Sequence, residues 1–144
     1  MDMVSFIVEG KPVAKARARA FRMGNKIGHY TPEKTVTYES FVRLCAAREM
    51  VGREPFDGAL ALTIVIFLEI PKSWSKKKRE DALIGKLYPT SKPDIDNIIK
   101  SLKDGMNGIV YRDDSQVVDI RAKKRYAENP LVKIDAIDAK MFCG

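Results

Sequence analysis

Asp94, Asp96, Asp104, Asp113 and Asp114 all fall between positions 94 and 114 of a chain whose formal charge is +7. Carboxylates gathered this closely repel one another unless something positive sits among them. A hard divalent cation held by oxygen ligands is the economical candidate. Two or three converging carboxylates would bind Mg²⁺ largely through water, with Mn²⁺ as a substitute. Such an ion polarises a phosphoryl oxygen and activates a water nucleophile. Lys100 stands one helical turn beyond Asp96 in Lys92-Pro-Asp-Ile-Asp-Asn-Ile-Ile-Lys100. It can either pair with a carboxylate, a bond of about 0.3–0.5 kcal/mol when exposed, or meet developing charge on a scissile phosphate. A plainer reading competes. Asp94 precedes an apolar helical stripe and can cap it, with Asp96 and Asn97 serving the helix dipole. Asp104 is open between supporting the cluster and facing solvent. Asp113-Asp114 sits in an expected turn, and the short connection suits a return of Asp114 towards the start of the helix.

Basic residues dominate elsewhere. Lys11, Lys15, Arg17, Arg19, Arg22 and Lys26 follow one another with no acid between them, and Lys76-Lys77-Lys78-Arg79 follows the only tryptophan, Trp74. Two basic patches around an acidic pocket favour a phosphate-backbone partner over a pair of solvated charge runs. Lys11, Lys15, Arg17 and Arg19, with Lys76, Lys77, Lys78 and Arg79, are the candidate DNA contacts.

The elements that must position these groups follow from periodicity. Val4, Phe6 and Val8 alternate with polar neighbours as a strand ending at Gly10. The basic segment after it suits a strand and loop, or a β-ribbon, with Gly24-Asn25 as its turn. Thr31-Pro32-Glu33 has the form of a cap, a proline at N1 and a first-turn acid. It predicts a helix over 32–50 with Tyr38, Phe41, Val42 and Cys45 inward. Leu60 to Ile70 suits a central strand covered on both faces, ended by Pro71. Ser73 can cap a helix over 74–83. Ile95, Ile98, Ile99, Leu102 and Met106 form one stripe at helical spacing, weakened near its end by Gly105 and Gly108. Val118, Ile120 and Ala122, then Val132, Ile134 and Ala136, alternate as two further strands. The order predicts one domain over 1–144, of the α/β or α+β class, with helices on a mixed sheet.

Several function classes are excluded. No apolar run approaches the ~20 residues of a membrane span, and the first residues do not form a signal peptide. Cys45, Cys143 and the lone His29 offer no zinc spacing or disulfide framework, which fits a reducing cytoplasm. No phosphate-binding glycine loop or nucleophile elbow is present, so neither a nucleotide cofactor nor a side-chain nucleophile is expected.

With these residues in view, the chain resembles the RusA family of Holliday junction resolvases. The likeness is strongest in Lys92-Pro-Asp-Ile-Asp-Asn-Ile-Ile-Lys, in Asp104-Gly-Met-Asn-Gly and in Arg112-Asp-Asp-Ser-Gln-Val-Val-Asp. It extends to Gly10-Lys-Pro-Val-Ala-Lys-Ala-Arg-Ala-Arg, Tyr30-Thr-Pro and Trp74-Ser-Lys-Lys-Lys-Arg. The resemblance implies a symmetric homodimer with a mixed sheet and one Mg²⁺-dependent site per subunit, encoded by a bacterium, phage or prophage. It assigns Asp94, Asp96 and Asp114 to the metal and Lys100 to catalysis. Asn97 would orient a carboxylate or ligated water, with Asp113 beside the set. The expected activity is a structure-selective endodeoxyribonuclease that resolves four-way junctions in recombination and repair. The alternatives are a non-catalytic module for branched DNA, and a metal nuclease acting on flaps, forks or phage packaging intermediates.

Overall fold

Alternation along the first strand is obeyed: Val4, Phe6 and Val8 are buried and their neighbours exposed. A computed structural model of the protein describes residues 3–16, 18–30 and 32–142, the Phe142 side chain excepted. Arg17, Thr31 and Cys143, for which a DNA contact, a helix cap and no metal role were expected, lie outside the described residues. The strands are β1 (Met3–Glu9), β2 (Arg19–Met23), β3 (Lys26–Tyr30), β4 (Leu60–Glu69), β5 (Val117–Ala127) and β6 (Leu131–Asp138). The helices are α1 (Glu33–Glu49), α2 (Lys76–Leu83) and α3 (Ile95–Met106), with short 3-10 turns at Asp114–Gln116 and Ala139–Phe142.

Four strands form one mixed sheet in the order β1-β6-β4-β5, with β5 parallel to β4 and the other pairs antiparallel. The mixed α+β class is therefore as expected. Helices α1 and α3 pack against each other, and α1 lies on β1. The core lies between helices and sheet: Tyr38, Val42 and Ala46 from α1 and Ile98, Leu102 and Met106 from α3 meet Leu62, Ile64, Ile66, Val132, Ile134 and Ala136.

The α3 stripe spans the expected residues, with Ile98, Leu102 and Met106 fully buried and Ile95 and Ile99 packed at its margin. Gly105 does not weaken the helix end. A Cβ there would stand 2.7 Å from the Val42 side chain and 3.1 Å from the Glu39 carbonyl oxygen, so glycine is what lets α1 and α3 approach.

Other expectations need correction. β4 is central, but from Leu62 onward only its even-numbered residues are buried, on the side of the core shared with α1 and α3. Val118 and Ile120 remain 64 % and 37 % exposed, so the start of β5 is not covered as its alternation suggests. Phe41 is 40 % exposed, and Ala46 takes the inward position instead. Pro32 occupies the N-cap position of α1 rather than its first turn. Ser75, not Ser73, caps α2 by accepting the Lys78 N–H at 3.2 Å, so the helix starts two residues later than expected.

Candidate active site

The acidic motif opens on a loop that β5 holds in place. Lys124 donates to the carbonyl oxygens of Ser91 at 2.8 Å and Pro93 at 2.9 Å, across a cis Lys92–Pro93 peptide. Asp94 follows at the N-cap position of α3 with extended backbone, yet its side chain accepts no capping hydrogen bond. The simple capping role is therefore not what this carboxylate does. Asp96 and Lys100 follow, both exposed, one turn apart along α3. No ion pair joins them among the described residues, so the resting pair considered for Lys100 is not formed.

The second acidic element is built differently. Tyr111 is fully buried, and its hydroxyl donates to the Lys103 carbonyl oxygen at 2.6 Å. This anchors the returning chain to α3 at Lys103. Burial pushes the Tyr111 phenol well above its usual pKa, and the negative charges of Asp114, Asp104 and Asp113 add to the shift. Those three charges are thus all felt at the Tyr111 hydroxyl.

Asp113 and Asp114 are adjacent but have different tasks. The Asp113 carboxylate accepts the Ser115 N–H at 3.0 Å and the Ser115 hydroxyl, which together hold its pKa below the usual range. Gln116 Oε1 accepts the Arg112 and Asp113 N–H groups at 2.8 and 2.9 Å, completing a capping box. Its Nε2 donates to the carbonyls of Phe56 and Gly58. Asp113 thus supports the turn, and Asp114 is presented from it, exposed, its carboxylate without a hydrogen bond or ion pair among the described residues. The spacing Asp113-x-x-Gln116 is a legible capping signal that the sequence reading passed over. Lys124 and Tyr111 carry no comparable signal.

The N-terminal basic segment is partly structural. Pro12 is buried, and the Lys15 N–H donates to the Asn97 carbonyl oxygen at 2.8 Å. Thr35, also buried, accepts the Ala16 N–H and donates to the Ala14 carbonyl oxygen. Lys15 Nζ bridges Glu39 at 2.5 Å and Asp104 at 3.1 Å. Held by two acids, Lys15 braces α1, α3 and the segment. Asp104 is thereby explained as its structural partner.

Between this segment, α1 and the start of α3 lies a cleft of about 980 Å³. Asp94 and Asn97 line it together with Lys11, Lys34, Lys92 and Tyr38. Lys34 is a cation the sequence reading missed. Asp96, Lys100 and Asp114 lie outside this lining. Arg19 is exposed on β2. Of the second basic block, Lys77 pairs with Asp81, Lys78 sits 4.0 Å over the Trp74 ring, and Arg79 donates to the Pro71 carbonyl oxygen. Lys76 has no such contact among the described residues and is exposed.

Among the described residues, no three acidic, histidine or cysteine side chains are gathered tightly enough to hold a metal ion. The donor chemistry of Asp94, Asp96 and Asp114 suits such an ion. They are exposed carboxylates with no hydrogen-bond or ion-pair partner in the described structure, and an all-oxygen set fits a hard divalent cation.

The family model for endodeoxyribonuclease RusA matches residues 9–136. An uncharacterised protein of Bacillus subtilis (strain 168), YqaN, is 38 % identical over 136 residues, covering 93 % of this chain and 95 % of that protein. A Lactococcus phage r1t protein named crossover junction endodeoxyribonuclease rusA is 43 % identical over 49 residues, 33 % of this chain and 37 % of its own.

Proposed function

Because the chain belongs to the RusA family of endodeoxyribonucleases, we propose that it hydrolyses phosphodiesters at four-way DNA junctions; its phage relative is named a crossover junction endodeoxyribonuclease. One observation carries the reading. Asp94, Asp96, Lys100 and Asp114 are uncommitted, whereas the neighbouring Lys15, Asp104, Asp113, Gln116 and Lys124 are each held by named bonds.

Asp94, Asp96 and Asp114 would hold a divalent cation, Mg²⁺ or Mn²⁺. Such an ion, when bound, supplies polarisation of a phosphoryl oxygen and a more acidic water. Lys100 supplies a positive charge on the same helix, suited to the leaving oxygen or the scissile phosphate, where negative charge develops. Asn97, in the cleft beside Asp94, orients a carboxylate. Lys11, Lys34 and Lys92 line the cleft as contacts to the phosphate backbone, which position DNA without reading bases. The protein acts as a homodimer in the bacterial cytoplasm, serving recombination and repair. Two equivalent sites match two equivalent strands of a junction.

A labelled synthetic four-way junction, incubated with and without Mg²⁺ and resolved on a denaturing gel, tests the reading. Paired symmetric cuts that need the metal and are lost in Asp96→Asn are expected, with a linear duplex left whole. Tight binding without cleavage in Mg²⁺ and Mn²⁺ alike would instead identify a binding module. Preferred cutting of flaps or forks would change the substrate and keep the chemistry.

A further inference from the structure

The β2–β3 ribbon forms a sheet of its own, and every described residue along its strands except Gly28 is exposed. A lone two-stranded ribbon is marginally stable in water, so large apolar groups on it call for a reason. Its register sets Arg19 opposite Tyr30, Phe21 opposite Gly28 and Met23 opposite Lys26. Directly opposed residues share a face. One face therefore carries Phe21, Tyr30 and Met23, which are 41 %, 47 % and 70 % exposed, with Arg19 at one end and Lys26 at the other. The two rings lie 6.0 Å apart between centroids at 53°. A Cβ on Gly28 would collide with the Phe21 ring, so glycine lets that ring lie flat across the neighbouring strand. Shielding of a strand glycine accounts for Phe21 but not for Tyr30, Met23 or the flanking cations.

Charge identifies the occupant. No acid occurs between Glu9 and Glu33, so the ribbon complements a polyanion. Exposed rings bracketed by cations are how proteins hold unstacked bases and their phosphates. We propose that this face is a stacking platform for unpaired bases of the DNA substrate, with Phe21 and Tyr30 against base faces and Arg19 and Lys26 on adjacent phosphates. The proposal rests on the branched-DNA reading above, because a branch is where bases are most easily unstacked.

Binding to a labelled single-stranded oligonucleotide and to a fully paired duplex of the same sequence, in EDTA so that nothing is cut, tests it. The Phe21→Ala, Tyr30→Ala double variant should bind the single strand roughly ten-fold more weakly, as loss of base–aromatic stacking predicts. Duplex affinity should stay within about two-fold, since backbone contacts are kept. Phe21→Tyr, which keeps a π-face, should bind as wild type. If the double alanine variant fails to fold, Phe21→Leu, Tyr30→Leu replaces it with the same expected loss. Equal losses on both DNAs, or none on either, would overturn the platform. So would unchanged DNA binding with a shift from dimer to monomer in sedimentation, which would make the face a contact between copies. An uncut four-way junction would defeat the nuclease reading without altering these binding ratios.

Discussion

Helix α3 begins and ends in different company. At its last turns Arg43 donates to the Asp104 and Asn107 carbonyl oxygens, Tyr111 donates to that of Lys103, and Lys15 holds the Asp104 carboxylate. Gly105 lets α1 approach along the same stretch. At its start, Asp94 does not cap the helix, and Asp96 and Lys100 stand exposed without partners in the described structure. Side chains at the last turns are bonded within the protein, whereas at the start only backbone groups are held and the side chains of Asp94, Asp96 and Lys100 are not. Bonds made within the protein stabilise the C-terminal end, whereas the N-terminal groups remain available to a ligand.

Removing the unpaired carboxylates should cost the most, and only in activity. Asp94→Asn, Asp96→Asn or Asp114→Asn should lower junction cleavage on the order of 10²–10³-fold or more, the scale of losing an electrostatic transition-state contact. Urea denaturation should place each within about 0.5 kcal/mol of wild type, as for other exposed substitutions. A stability loss several times larger would make these acids structural.

Breaking the fastened end should do the reverse. Gly105→Ala forces a methyl into Val42 and the Glu39 carbonyl oxygen. Overpacking of about 1–3 kcal/mol, less about 1 kcal/mol of helix propensity gained, leaves about 0–2 kcal/mol of destabilisation by urea titration.

Lys124→Met sharpens the contrast, since it frees the Ser91 and Pro93 carbonyls that position Asp94 without touching the acids. A roughly ten-fold fall in cleavage with junction affinity retained is expected, because small misplacements of catalytic groups are costly.

Two smaller effects follow from titration. Desolvation lowers the Lys15 pKa, but its hydrogen bonds to Glu39 and Asp104 outweigh this and raise it above 10.5. The ion-pair contribution is therefore complete below pH 10.5 and lost as pH rises through the folded-state value. Melting curves across that range should steepen in their fall for wild type relative to Lys15→Met. Asp113 is held below 3.8 by Ser115, so its contribution is present above that pH and fades as pH drops through the folded value. Ser115→Ala should move the Asp113 titration, followed by NMR, upward towards the ordinary carboxylate range.

Much of this was legible because it is local. The period of Ile95, Ile98, Leu102 and Met106 marks α3 wherever the helix packs, and alternation marks β1 and β6. The motif Asp-x-Asp-Asn-x-x-Lys with Asp-Asp beyond it pointed to the family without any fold. What stayed illegible depends on contacts distant in sequence. Lys11 and Lys15 look alike in a basic run, yet one lines a cleft and the other is held by two acids. Asp113 and Asp114 are chemically identical neighbours, and only the turn built by Ser115 and Gln116 divides cap from free carboxylate. Val118 and Ile120 alternate like the buried residues of β1 yet stay exposed, since alternation does not say what packs over a face. Sequence determined which groups exist and the local periods that carry them. Tertiary structure decided which charges are neutralised within the protein and which are left for a ligand, because that choice is made by partners the chain brings together only on folding.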